Sequence, residues 1–154
     1  MKIEDAIKQK SFKTEEEKLI INLTYTSNWL ANEQSRFFKQ YGISSQQYNV
    51  LRILRGQHPK PASVSLIQDR MLDKMSNASR LIEKLKSKGF VNRKECPLDR
   101  RQVDVEITSK GLDLLKEIDT IQDDMNAICG NLDITEKQVL NNLLDKIRTT
   151  QTKN

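Results

Sequence analysis

Two short clusters carry the side chains with the most specific chemistry in this chain. "SNASR", Ser76 to Arg80, gathers serine hydroxyls, a carboxamide and a guanidinium. Asparagine can pair two-pronged with adenine and arginine with guanine, and small hydroxyls permit close approach. Lys84 and Lys86 follow along the same segment, as charges suited to phosphates. The second cluster is "PLDRR", Pro97 to Arg101. A narrow, electronegative minor groove attracts arginine, so Arg101, with Arg100 beside it, has a use that a plain surface turn does not supply. Asp99 stands two residues before Arg101 and can hold its guanidinium in one orientation. Each cluster also has a plainer reading: the solvated face of an amphipathic helix for the first, and for the second a charged turn whose ion pair contributes about 0–1 kcal/mol.

Such side chains work only if defined elements hold them. From Glu15 to Tyr41 there is no proline or glycine, and Leu19, Leu23, Leu30, Phe37 and Tyr41 recur at helical or heptad spacing, widened by Ile20, Trp29 and Phe38. This predicts a long helix closed by Gly42. "ISSQQYNVLRILRGQ" predicts a second, capped at Ser44 or Ser45 and stopped by the prolines of "GQHPKPAS". Two short helices follow, Ser63 to about Met71 and Ser76 to about Lys88. The latter has Ser76 as its cap, Ala78, Leu81, Ile82 and Leu85 as its apolar face, and Gly89 at its end. Beyond Gly89 the period changes to two. "FVNRKEC" and "QVDVEIT" read as strands around "PLDR", with Val103, Val105 and Ile107 opposite Gln102, Asp104 and Glu106. Thr108 then caps a long helix expected to reach about Cys129. A last helix opens with Thr135 and Gln138 and carries Val139, Leu140, Leu143, Leu144 and Ile147.

A helix-turn-helix followed by a hairpin is the winged form of that motif, whose second helix lies in the major groove while the hairpin tip nears the flanking minor groove. The expected fold is mainly α with a small β-hairpin wing: a winged helix-turn-helix domain embedded in a helical dimerisation frame. Residues 1–42 form an N-terminal dimerisation region, 43–108 the DNA-binding domain and 109–154 the C-terminal dimerisation helices. A small winged helix cannot cover the apolar stripes of 15–41, 112–129 and 136–148, so pairing with a second copy is the natural way to bury them.

Charge supports a polyanion partner for the centre. Residues 60–111 hold twelve basic against seven acidic side chains, a surplus equal to the net +5 of the whole chain, whereas 112–154 hold five against eight. There is no glycine-rich phosphate loop, and the single His58 serves no nucleophile–base arrangement, so no enzyme is expected. Two cysteines and one histidine do not readily build a zinc site, and neither metal nor cofactor is expected. Cys96 and Cys129 read as structural thiols, with redox sensing as the other reading for Cys96, close to Arg93 and Lys94. No apolar run nears the roughly 18 residues of a membrane span, and the N-terminus lacks a signal-peptide core, which predicts a cytoplasmic protein. The remaining rival is a helical dimeric module whose wing binds an acidic protein partner.

"DRRQVDVEITSKG", Asp99 to Gly111, resembles the wing signature of the MarR family of bacterial transcription regulators, and "SNASRLIEKLKSKGFVNR", Ser76 to Arg93, is similar to that family's recognition helix and its exit. The resemblance implies a winged-helix homodimer that controls transcription, as a repressor by expectation, on double-stranded DNA at a palindromic operator. It places Ser76, Asn77, Ser79, Arg80 and Lys84 in the recognition helix and maps Asp99 and Arg101 to the characteristic positions of the wing, with Arg100 between them. It further implies a small aromatic or phenolic effector bound between dimer helices and DNA-binding lobe. Tyr25, Trp29, Phe37 and Tyr48 are the candidates to line that pocket, or are simply core.

Overall fold

The computed structural model describes residues 1–95, 103–121 and 125–149. Contacts divide the chain into two compact units, Met1–Lys116 and Glu117–Asn154. The first opens with α1 (Ile3–Ile7), a turn too short to show a period in sequence, whose Glu4 is 2.7 Å from Lys18 Nζ. Helix α2 (Glu15–Lys39) begins where the Thr14 side chain accepts the Glu17 N–H, and three glutamates in its first turn favour the positive end of the helix dipole. It extends ~37 Å at 1.5 Å per residue, yet buries only Phe38, in its last turn. The chain then reverses at Gly42, whose φ of +66° favours a residue without Cβ.

Helix α3 (Ser45–Gln57) starts with a capping box: Gln47 N–H donates to Ser44 Oγ at 3.2 Å, and Ser44 N–H to Gln47 Oε1 at 3.0 Å. Its Val50, Leu51 and Leu54 are buried, and its Tyr48 ring stacks on Phe38 with centroids 4.3 Å apart. Helix α4 (Val64–Arg70) is capped by Ser63 and α5 (Ala78–Ser87) by Asn77. These helices close the core with Ile67, Met71, Ala78, Ile82 and Leu85.

Among the described residues the strands form one antiparallel sheet, β1 (Ala62–Ser63), β3 (Val103–Ile107) and β2 (Val91–Glu95), in the order β1-β3-β2. The expected hairpin is β2–β3, paired Val91 with Ile107 through Glu95 with Val103. Strand β1 is an addition: two residues just after Pro61 offer no alternation to read, and they acquire strand geometry from pairing with Val105 and Asp104. The alternation in β3 is real, with Val105 and Ile107 buried.

Helix α6 (Ser109–Asp119) is clasped to this sheet through Thr108 and Gly111. The Thr108 hydroxyl donates to the Gly89 carbonyl at 2.7 Å and accepts the Gly111 N–H at 3.2 Å. A Cβ at Gly111 would press on the Phe90 carbonyl and come within 2.8 Å of Ile107 Cγ1. The expected run to Cys129 is not a single helix. Thr120 and Ile121 donate to carbonyls three residues back rather than four, and the Thr120 hydroxyl also donates to the Glu117 carbonyl at 2.7 Å, ending α6 at Asp119. Ala127–Cys129 is a short 3-10 turn.

In the second unit, α7 (Ile134–Arg148) is capped by Asp133 and Glu136, whose carboxylates accept each other's backbone N–H at 2.9 Å, rather than by Thr135 and Gln138. No residue of α7 is buried. Among the described residues, no helix is long and apolar enough to cross a membrane.

Candidate nucleic-acid interface

The start of α5 is fixed by side chains from its own turn and from two other helices. Gln68 of α4 spans the turn, donating to the Lys74 carbonyl at 3.2 Å and accepting the Ala78 N–H at 3.1 Å. Asn49 of α3 accepts the Leu72 N–H at 2.9 Å. Asp73 accepts the Met75 N–H at 3.0 Å on one oxygen and the Ser76 hydroxyl at 2.7 Å on the other. The Ser76 hydroxyl, then the Met75 N–H, hold the Asp73 carboxyl below its ordinary pKa. Ser76 is therefore a brace of the turn, and the expected cap moves one residue on: Asn77 Oδ1 accepts the Arg80 N–H at 3.0 Å. Both residues are good caps, and the Asp73–Ser76 bond decides between them. The cap commits one lone pair of Oδ1 and leaves the Asn77 amide protons unneeded by the helix.

With Ala78, Ile82 and Leu85 turned into the core, Asn77, Ser79, Arg80 and Lys84 are exposed, as is Lys86. Ser76, Asn77, Arg80 and Lys84 share one concave surface with Met75, Leu81 and Gln46, the last from the first turn of α3. Ser79 is exposed on α5 but does not line that concavity. Sequence reasoning missed the supports Gln68, Asn49 and Asp73 and the lining residues Gln46 and Met75. An aspartate three residues before a serine is the one local signal that could have found any of them, as a turn that binds its own backbone.

Helix α5 is joined to the wing by an ion pair between Arg93 of β2 and Glu83, and the Arg93 guanidinium holds the Glu83 carboxyl below its ordinary range. Lys94 and Glu106 approach to 3.6 Å across β2 and β3. The wing-tip residues Asp99, Arg100 and Arg101, and Cys96, lie outside the described residues. Cys129 is exposed. The candidate effector aromatics divide into two places. Tyr48 is buried against Phe38, and Phe37 meets Phe38 edge-on at 5.2 Å. Tyr25 and Trp29 are exposed, one turn apart on α2.

The arrangement, a helix with its apolar face buried, its polar face concave and basic, and a strand pair tied to its flank, is matched by known proteins. The model of the MarR family matches residues 43–103. A MarR transcription factor from Planctomyces limnophilus is 31% identical, covering 88% of this chain and 98% of that one, with a TM-score of 0.68. This chain belongs to the MarR family. A MarR-like transcription regulator from Bacillus cereus is 27% identical over 85% of this chain and 94% of its own, with a TM-score of 0.76. The transcriptional repressor MprA of Escherichia coli K12 is 25% identical over 119 residues, 77% of this chain and 68% of that protein. The MarR assignment makes the chain a DNA-binding transcriptional regulator, not an enzyme.

Proposed function

We propose that this MarR-family protein acts as a homodimer that represses transcription at a palindromic operator, with α5 reading the major groove. The observation that carries the reading is the concave, exposed surface where Ser76, Asn77, Arg80 and Lys84 converge on a helix start braced by Gln68 and Asp73. Arg80 and Asn77 address base edges, Lys84 a phosphate, and Ser76 and Ser79 allow close approach. Arg101, with Asp99 and Arg100, serves the flanking minor groove.

Dimerisation is supported by apolar side chains left in water on two helices. On α7, Val139, Leu140, Leu143 and Ile147 are exposed, and on α2, Leu19, Ile20 and Trp29. Residues 1–42 and 109–154 are thus the dimerisation regions on either side of a DNA-binding 43–108. Repression is the sense borne by the similar MprA. For a small aromatic or phenolic effector our reading favours the neighbourhood of Tyr25 and Trp29, both exposed on α2 beside the proposed dimer face. Its binding would shift the spacing of the two reader helices and so the population fit for DNA.

Selection of bound duplexes from a random pool tests this reading. The expected product is an inverted repeat whose half-site centres lie about 34–36 Å apart, or a multiple of it. Recovery of no motif, with only weak salt-sensitive binding, would discard it in favour of the acidic protein partner.

A further inference from the structure

The concave surface at the start of α5 is not wholly polar. Met75 is 93% exposed, although it lines the same concavity as Asn77, Arg80 and Lys84. Its backbone is not loose: its N–H is held by Asp73, its neighbour Ser76 is held by the same carboxylate, and Gln68 holds the Lys74 carbonyl on its other side. The thioether is thus delivered from a fixed point beside the α5 cap. Leu72 is nearly as exposed, at 87%, but does not line that concavity.

A thioether is at best a weak hydrogen-bond acceptor. Against a phosphate or a sugar hydroxyl it would strip water from a charged or polar group and return nothing. The major-groove edges of the bases offer donors, acceptors and one apolar group, the C5-methyl of thymine. An unbranched, polarisable side chain with three rotatable bonds can follow that methyl with little strain. We propose that Met75 is a specificity-determining residue that contacts a thymine methyl in each half-site, next to the bases addressed by Asn77 and Arg80. The proposal rests on the reading of α5 as the major-groove helix and adds to it an apolar element of the code.

Single thymines of the selected half-site, replaced one at a time by deoxyuridine, remove the methyl and leave every hydrogen-bonding edge intact. Affinity is measured at fixed salt for the wild type, Met75→Ala and Leu72→Ala. One position should weaken wild-type binding about fourfold, the effect of one buried methyl. The Leu72→Ala protein should keep that loss, and Met75→Ala should bind the thymine and deoxyuridine duplexes alike. Wild-type indifference at every thymine would overturn the proposal without reference to any variant. A thymine preference that survives in Met75→Ala would overturn it as well, while leaving α5 as the DNA reader. Failure of the wild type to select any duplex would overturn both.

Discussion

Helices α5 and α7 both carry apolar stripes, and their fates differ. On α5, Ala78, Ile82 and Leu85 are at most 1% exposed, sealed by α3, α4 and the sheet. On α7, Val139, Leu140, Leu143 and Ile147 stand between 45% and 52% exposed. An amphipathic period states that a face is to be covered and says nothing of what covers it. For α5 the cover comes from its own chain, which frees the opposite face to meet a ligand. For α7 the apolar face is itself the part left for a partner, which on our reading is a second copy.

Charging the open face should have the largest effect. Leu140→Asp combined with Leu143→Asp removes two buried leucines per protomer from the proposed interface, each contributing about 1.5–3 kcal/mol. Sedimentation should show the dissociation constant raised by at least about a hundredfold; a dimer that persists would break the contrast between the two helices. On the sealed face, Ile82→Ala should cost about 2–5 kcal/mol in urea unfolding through the cavity it leaves. In the same assay Val139→Ala, made in the monomeric background, should change stability by less than about 0.5 kcal/mol. Next comes the clasp of α6, where Gly111→Ala forces a methyl onto the Phe90 carbonyl and the Ile107 side chain and should lower stability by about 1–3 kcal/mol.

The smallest effect concerns the tie between α5 and the wing. Glu83 has its pKa lowered from 4.5 by Arg93, so its folded-state pKa is below the unfolded one. The pair's contribution is complete above that ordinary value and is lost as pH falls through the lowered one. Thermal melts of wild type and Glu83→Gln should differ by a small constant amount near neutral pH and converge in acid. A gap that widened in acid would contradict the assignment.

Much of this was readable from residues alone, for physical reasons. Helix α3 announced itself through Ser44, and α5 through Ile82, Leu85 and Gly89, because caps, periods and positive-φ glycines are local. Strand β3 showed in its alternation. What failed depended on choices between near-equal local options or on distant partners. Ser76 and Asn77 are both able caps, and Asp73 took the first. Asp133 with Glu136 and Thr135 with Gln138 are both box-like, and the acidic pair opened α7. Nothing at Thr120 resembles a stop, since it ends α6 by hydrogen bonds to the helix's own carbonyls. Strand β1 exists only because β3 pairs with it. In the site, the polar face of α5 was legible as a list of donors. The use of Asn77 and Ser76 as scaffold, and the apolar Met75 among them, required the folded turn.

The central claim is that α5 reads bases through Arg80 while Lys84 supplies charge. The most direct test is to repeat the duplex selection with Arg80→Ala and with Lys84→Ala, measuring affinity at several salt concentrations. Arg80→Ala should weaken binding by about 1–3 kcal/mol and erase the preference at one position of each half-site. Lys84→Ala should preserve the motif, weaken all sequences alike and reduce the salt slope by about one for each protomer. An Arg80→Ala protein that selects the unaltered motif at unaltered affinity would contradict the account.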